Sequence, residues 1–270
     1  MESAEDLMDQ INREAWRARD SIQWYRKLEG WTDPGEQVAM QRVAAWVKDQ
    51  PILDLGVGAG RTVPLLREIS QDYTAIDYTP ELVDACRAKY PDARVFAGDA
   101  RDLSRFADAS FALVVFSFNG IDAVSPKDRM KVLRQVHRVL RPGGIFLFSA
   151  HNQCGPGHGE RLKLGFDFTR NPLKLVRGFL RMLKNAPRTI ANYRRYSHLN
   201  RRADGYSIMN AAAHHHGIVI HYVTIAKQCE QLVAARFRAD PEIYAELDGR
   251  RIGPDEDTGR YRWFHFIARK

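Results

Sequence analysis

The chain has 270 residues, 44% of them hydrophobic and 27% charged, and its mean hydropathy is -0.43. That composition belongs to a globular chain with a sizeable core, and it excludes disordered, collagen-like and fibrous architectures. The formal charge is +8, but residues 155–205 hold twelve basic against three acidic side chains, so the positive excess sits in one segment and the remainder is close to neutral.

In chain order, residues 4–28 and 35–49 carry helix-compatible patterns, with Trp16, Ile22, Trp24, Tyr25 and Leu28 in the first and Val38, Val43, Ala44, Trp46 and Val47 in the second. The acidic start, Met1-Glu2-Ser3-Ala4-Glu5-Asp6, has neither the basic flank nor the apolar stretch of a secretory signal, which predicts a cytoplasmic protein. Trp31-Thr32-Asp33-Pro34-Gly35 reads as a turn. From residue 52 onward short apolar runs alternate with amphipathic helices: strands at 52–55, 73–76, 94–97, 111–116 and 144–149, helices at 62–70, 80–89 and 125–140. Such alternation predicts a parallel sheet covered by helices on both faces. Even the longest apolar runs are far short of the roughly 20 residues that span a bilayer, so no transmembrane segment is expected.

The basic segment follows the fifth strand. Within it, 172–184 places Lys174, Arg177, Arg181 and Lys184 at helical spacing beside an apolar stripe of Leu173, Val176, Leu180 and Leu183. A solvated helix face and an electrostatic funnel for an anionic acceptor or surface are both compatible with this pattern. No DNA-reading or RNA-reading module accompanies the charge, which argues against nucleic acid. An apolar segment at 217–223, a helix at 225–236 and strands at 242–247 and 260–268 complete the chain; polar residues 248–259 read as a hairpin connection that gives the sheet an antiparallel edge. Cys86, Cys154 and Cys229 are scattered and odd in number, as isolated thiols are.

Chemistry concentrates at Asp54-Leu55-Gly56-Val57-Gly58-Ala59-Gly60-Arg61, directly after the first strand. Glycines at a strand-to-helix turn let the backbone approach a ligand. A dinucleotide fingerprint would need a third glycine where Arg61 stands, and a P-loop would need a following Gly-Lys-Ser/Thr; neither is present. What remains pairs a carboxylate with the glycines, a poor cradle for pyrophosphate and a good one for a cationic ligand.

With that loop, Ala75-Ile76-Asp77-Tyr78 at the second strand end, Gly98-Asp99-Ala100 at the third and Arg141-Pro142-Gly143-Gly144 as a turn before the fifth, residues 36–150 resemble the class I S-adenosylmethionine-dependent methyltransferases of small-molecule type. The resemblance implies an α/β fold: a doubly wound, seven-stranded, mostly parallel Rossmann-like sheet with N-terminal helices and a basic helical insertion after the fifth strand. It implies S-adenosylmethionine as cofactor, held by Asp54, Gly56, Gly58, Gly60, Asp77, Tyr78, Asp99, Ala100 and Ser117, with Asp77 toward the ribose hydroxyls and Asp99 toward the adenine. It divides the chain into an N-terminal helical lid (1–50), a cofactor-binding core (51–154), a basic acceptor lid (155–216) and the C-terminal part of the sheet (217–270).

In that family acceptor groups come from after the fourth and fifth strands and from insertions. Ser117-Phe118-Asn119-Gly120 replaces the Asn/Asp-Pro-Pro-aromatic element of enzymes that methylate bases or glutamine, which favours a small-molecule acceptor, anionic if the basic segment serves it. His151, just past the fifth strand, is the candidate catalytic base. Asn119, Tyr193, Arg194, Arg195, His221 and Tyr222 are candidate acceptor contacts. His214, His215, His216 and His221 lack a completing carboxylate, so no metal is expected. Methylation of RNA or a lipid headgroup, and a non-catalytic S-adenosylmethionine-binding protein, are the alternatives.

Overall fold

The computed structural model describes residues 4–159, 161–164, 169, 171–253 and 256–270. Residues 1–3 of the acidic start and Glu160, Asp167 and Arg170 of the basic segment lie outside the described residues. The first helical stretch is two helices, α1 (Ala4–Arg17) and α2 (Arg19–Tyr25), because Ala18 between them is extended, with ψ of 137°. The turn before α3 (Pro34–Val47) doubles as its cap: Asp33 accepts the Glu36 N–H at 2.8 Å and Pro34 takes the first helical position, where its missing N–H costs nothing.

The alternation then follows as β1 (Ile52–Leu55), α4 (Val63–Ile69), β2 (Tyr73–Asp77), α5 (Pro80–Lys89), β3 (Arg94–Ala97), β4 (Phe111–Phe116), α6 (Pro126–Val139) and β5 (Leu140–Asn152). These strands lie parallel in the order β3-β2-β1-β4-β5. The chain winds outward from β1 in one direction and from β4 in the other, so the order reverses between β1 and β4. Open α/β sheets bind their ligands at the carboxyl ends flanking that point.

Alternate residues of each strand face opposite layers. Leu53, Leu55, Val114, Phe146 and Phe148 pack with Val132, Leu133 and Val136 of α6. Ile52, Tyr73, Leu113, Val115 and Leu147 pack with Ala39, Met40 and Val43 of α3 and with Leu66 and Val83. Both faces are buried, as a doubly wound sheet requires.

Past the basic segment lie α7 (Pro172–Tyr196), β6 (Arg201–Ala203), β7 (Tyr206–Ala211), the short turn α8 (Ala213–His216), β8 (Ile218–Val223), α9 (Ile225–Ala234), β9 (Glu242–Ala245) and β10 (Trp263–Arg269). β10 runs antiparallel to β5 and β9 antiparallel to β10, the hairpin arrangement read from the sequence. With these two, the seven expected strands are in place.

Two expectations are corrected. The insertion is not purely helical: β6, β7 and β8 form an antiparallel ribbon, joined to the tip of β5 through the short register His151↔Tyr222 and Asn152↔Val223, and the described residues hold ten strands. The expected boundary at 216/217 therefore falls inside a paired unit. The β-branched run Ile218-Val219-Ile220 was legible, whereas its partner Ser207-Ile208-Met209-Asn210 is too polar to announce a strand. The second correction concerns Arg141 to Gly144, expected as a turn before the strand. It lies within β5 as an irregularity, the β4 register passing from Phe111↔Leu140 to Leu113↔Ile145.

Candidate functional site

A cleft enclosing about 950 Å³ of empty space, open solvent at its mouth included, opens at the carboxyl ends of β1, β2 and β4. The glycine loop forms its floor. Gly58 has φ of +57° and a Cβ built there would meet nothing within 4 Å, so the loop presents bare backbone to open space on the cleft side. Gly60 is different: its φ is +96°, and a Cβ would sit 2.6 Å from the Tyr90 ring and 3.2 Å from Cys86 Sγ, so it serves packing behind the loop and is not among the lining residues. A Cβ on Gly56 would press on the Phe116 ring at 2.9 Å.

Asp77 ends β2 with a carboxylate fixed from two sides: Oδ2 accepts the Gly58 N–H at 2.9 Å and Oδ1 the Thr79 N–H at 2.8 Å. It is buried at the cleft wall, and that burial raises its pKa against the pull of those two N–H groups. With the Thr79 side chain as a third donor, the carboxylate still has acceptor capacity for a further one. Asp54 stands behind the loop, outside the wall. It accepts from Thr62 Oγ1 at 2.5 Å and Tyr73 Oη at 2.8 Å, and burial pushes it up to about 6. Its role is to tie β1, β2 and the start of α4 together.

Tyr78, Asp99 and Ala100 also line a wall of the cleft. The Asp99 carboxylate accepts from Arg101 at 2.7 Å and from Arg13 of α1 at 2.9 Å, and Arg101 continues to Asp128 at 2.9 Å. Burial works to raise the Asp99 pKa, but the Arg101 bonds and the two cations prevail and hold it below its ordinary value. Arg13 also lies over the Tyr78 ring, 4.2 Å from its centre, and Trp16 meets that ring edge-on at 5.9 Å. One face of α1 thus closes this wall, which the helical pattern of 4–28 could not reveal.

At the end of β4, Ser117 Oγ accepts from Arg61 Nη2 at 2.6 Å. Arg61 forms a buried two-pronged pair with Glu36 at 2.7 Å on each prong and donates to Trp31 O at 2.6 Å. Burial alone would lower the Arg61 pKa, yet the Glu36 charge raises it. The residue standing where a dinucleotide fold has glycine is thus the strut that holds α3, the α2–α3 turn and the β4 end around the cleft. The next residues are strained: Phe118 and Asn119 both have left-handed φ, +53° and +59°. The Asn119 N–H donates to Ser149 Oγ at 2.7 Å, and its side-chain oxygen is buried at the cleft without a hydrogen-bond partner among the described residues. A buried acceptor with no donor is a place for a ligand.

Other candidates lie elsewhere. His151, Tyr193, Arg194, Arg195, His221 and Tyr222 are not among the cleft-lining residues. His151 turns Nδ1 to Asp122 Oδ2 at 2.8 Å, and the same carboxylate binds Arg129, fully buried, at 2.6 Å. Arg194 and Arg195 are exposed in the last turn of α7. Tyr193 meets the His216 ring edge-on at 5.1 Å, and His221 is buried flat against Tyr206 at 5.1 Å. Tyr222 Oη donates to Gly157 O at 3.2 Å. The histidines of α8 face different partners, His214 toward Ser21 and His215 toward Thr189 and Asn192.

Comparison with known proteins agrees with this geometry. Residues 52–144 match the methyltransferase domain family. The chain is 31% identical over 141 residues to a "Probable S-adenosylmethionine-dependent methyltransferase" of Mycolicibacterium smegmatis, covering 52% of this chain and 50% of that protein. It is 32% identical over 112 residues to a demethylmenaquinone methyltransferase of Renibacterium salmoninarum, covering 41% and 46%. It spans about half the length of the curated relatives it matches. Among solved structures, an S-adenosylmethionine-dependent methyltransferase from Mesorhizobium loti superposes with a TM-score of 0.57 at 19% identity, over 87% of this chain and 98% of that one. The 1,6-didemethyltoxoflavin-N1-methyltransferase of Burkholderia thailandensis, solved with S-adenosylhomocysteine, does so at 0.56 and 16% identity, over 99% and 91%. Residues 52–144 therefore carry the methyltransferase domain, and the chain as a whole shares the fold of solved S-adenosylmethionine-dependent methyltransferases.

Proposed function

We propose that the chain transfers a methyl group from S-adenosylmethionine to a small-molecule acceptor. The observation that carries this reading is the pairing of Gly58, whose missing Cβ leaves the floor open, with an Asp77 carboxylate held at the same floor by the Gly58 and Thr79 N–H groups. Such a fixed, buried carboxylate suits a pair of hydroxyl donors. Gly56, Gly58, Asp77, Tyr78, Asp99, Ala100 and Ser117 would hold the cofactor, while Asp54 and Gly60 shape the loop from behind. When bound, the cofactor supplies an activated methyl on a sulfonium.

The chain's own contribution is orientation and exclusion of water, which a displacement at carbon needs more than it needs a nucleophilic side chain. Asn119 offers its unpaired oxygen to a donor on the acceptor or the cofactor. Trp16 and Tyr25 join at 2.9 Å through Nε1 and Oη and cover the cleft from the N-terminal helices. The acceptor is small because one cleft must take both molecules. An anionic acceptor rests on long-range attraction by the basic segment alone, since the wall guanidiniums Arg61 and Arg101 are already held by carboxylates. His151 stands off the wall, so the proposed reaction assigns it no proton transfer.

The test is a cofactor-consumption screen across carboxylates, phenols, amines and sugars with mass detection of the methylated product. Turnover on one class supports the reading. Binding of S-adenosylhomocysteine without turnover on any acceptor would favour a silent binding protein, and a protein that bound NAD but no S-adenosyl ligand would sink it.

A further inference from the structure

The long helix α7 is anchored at one end and bare at the other. Its second half is tied to the body: Thr189 Oγ1 lies 3.5 Å from His215 Nδ1, Asn192 donates to His215 O at 3.0 Å, and Thr189 and Tyr196 are buried. The first half carries large apolar side chains in solvent: Leu173 is 70% exposed, Val176 56%, Leu180 58% and Leu183 51%. At about 100° per residue these four fall on one strip roughly 15 Å long. The half-buried Leu175, Gly178 and Met182 fall on a different sector, so the strip is not the side that meets the protein. Lys184, Arg177, Arg181 and Lys174 follow in a second strip directly beside the first, Arg188 at its anchored end being paired with Asp20 at 3.2 Å, and the whole helix Pro172–Tyr196 contains no acidic residue.

We propose that this half of α7 lies in the surface of an anionic phospholipid bilayer, with the leucine strip in the acyl boundary and the adjoining basic strip at the headgroup phosphates. The charge pattern selects this occupant. A second copy of the chain would bring the same basic strip alongside itself, with no carboxylate on the helix to answer it. A nucleic acid would use the cations but leave the leucines in water. A bilayer surface satisfies both, because lysine and arginine stems lie along the apolar boundary while their heads reach phosphate.

Vesicle co-sedimentation of the full chain tests this in 0.15 M salt, using phosphatidylglycerol–phosphatidylcholine vesicles against pure phosphatidylcholine. Binding to the anionic vesicles is expected to be at least about 25-fold tighter, because each Lys or Arg at such a surface contributes roughly fivefold. Leu173→Ser with Leu180→Ser should weaken it by roughly tenfold or more. Arg177→Gln with Lys184→Gln should weaken it by about 25-fold on anionic vesicles only. All four positions are exposed, and an unchanged circular dichroism spectrum and unchanged S-adenosylhomocysteine affinity confirm that the variants are folded. No partitioning of the wild type, equal partitioning to neutral and anionic vesicles, or unaltered binding by either double variant overturns the proposal. So does a concentration-dependent dimer that the serine variant abolishes while vesicles are ignored, or binding of single-stranded RNA in place of vesicles.

Discussion

Asp77 and Gly58 share one hydrogen bond, and they separate the roles inside the glycine loop. Asp77→Ala removes the acceptor for Gly58 and Thr79 and the charge that faces the cleft. Calorimetry with S-adenosylhomocysteine should show a loss of about 1.5–3 kcal/mol in affinity, the range for a charge-assisted hydrogen-bonding group. Gly58→Val should abolish binding and leave a folded chain, since the added side chain enters open space and pays only the left-handed backbone cost of about 1–2 kcal/mol. Gly60→Ala should behave in the opposite sense: its Cβ meets the Tyr90 ring at 2.6 Å, so denaturant unfolding should show about 2–4 kcal/mol of lost stability. Equal stability losses at the two positions would contradict the division between floor and support.

At the scale of elements, the N-terminal helices are part of the site wall, and Asn12 shows how they are fixed there. Its side chain, 1% exposed, donates to Ala123 O at 2.7 Å and Val219 O at 2.8 Å and accepts the Val219 N–H at 2.9 Å. One residue of α1 thereby joins the turn at Gly120–Ala123, which borders the cleft, to β8 of the ribbon. Asn12→Ala would remove the side-chain partner of two buried backbone groups of Val219 and of the partly buried Ala123 carbonyl. Chemical denaturation should register a loss of about 2–4 kcal/mol, and S-adenosylhomocysteine affinity should fall with it because Arg13, Asp9 and Trp16 ride on the same helix. A variant with normal stability would show that α1 is held by its apolar face, through Met8 and Ile11, and not by this residue.

For the whole molecule, the ribbon adds a pH-dependent component to stability. His221 in β8 is fully buried against Tyr206, and burial, with the Arg129 and Arg201 charges, holds its pKa well below 6.5. The folded chain keeps this imidazole neutral while the unfolded chain protonates it below about pH 6.5. Unfolded molecules then bind more protons, so the His221 contribution declines as pH falls from 7 toward 5, at up to about 1.4 kcal/mol per pH unit. Unfolding curves at pH 7, 6 and 5 should show a shallower decline for His221→Phe, which preserves the stack on Tyr206. An identical slope would mean that the imidazole reaches water.

Local patterns were enough for the core of this protein. Strands 52–55, 73–76, 94–97 and 111–116 and the loop after the first of them were legible because strand periodicity, a glycine turn and a carboxylate at a strand end are all written over a few adjacent residues. Asp77, Gly58, Asp99 and Asn119 came to the cleft for that reason. Tertiary structure decided the rest of the wall. Arg61 finds Glu36 across 25 positions, Arg13 finds Asp99 across 86 and Asn12 finds Val219 across 207, and a charged or amide side chain carries no periodic mark of a partner so distant. The basic segment shows the same division: its charge and its leucine spacing were visible in the sequence, but which end of the helix docks and which stays bare depended on where Thr189, Asn192 and Tyr196 met the ribbon.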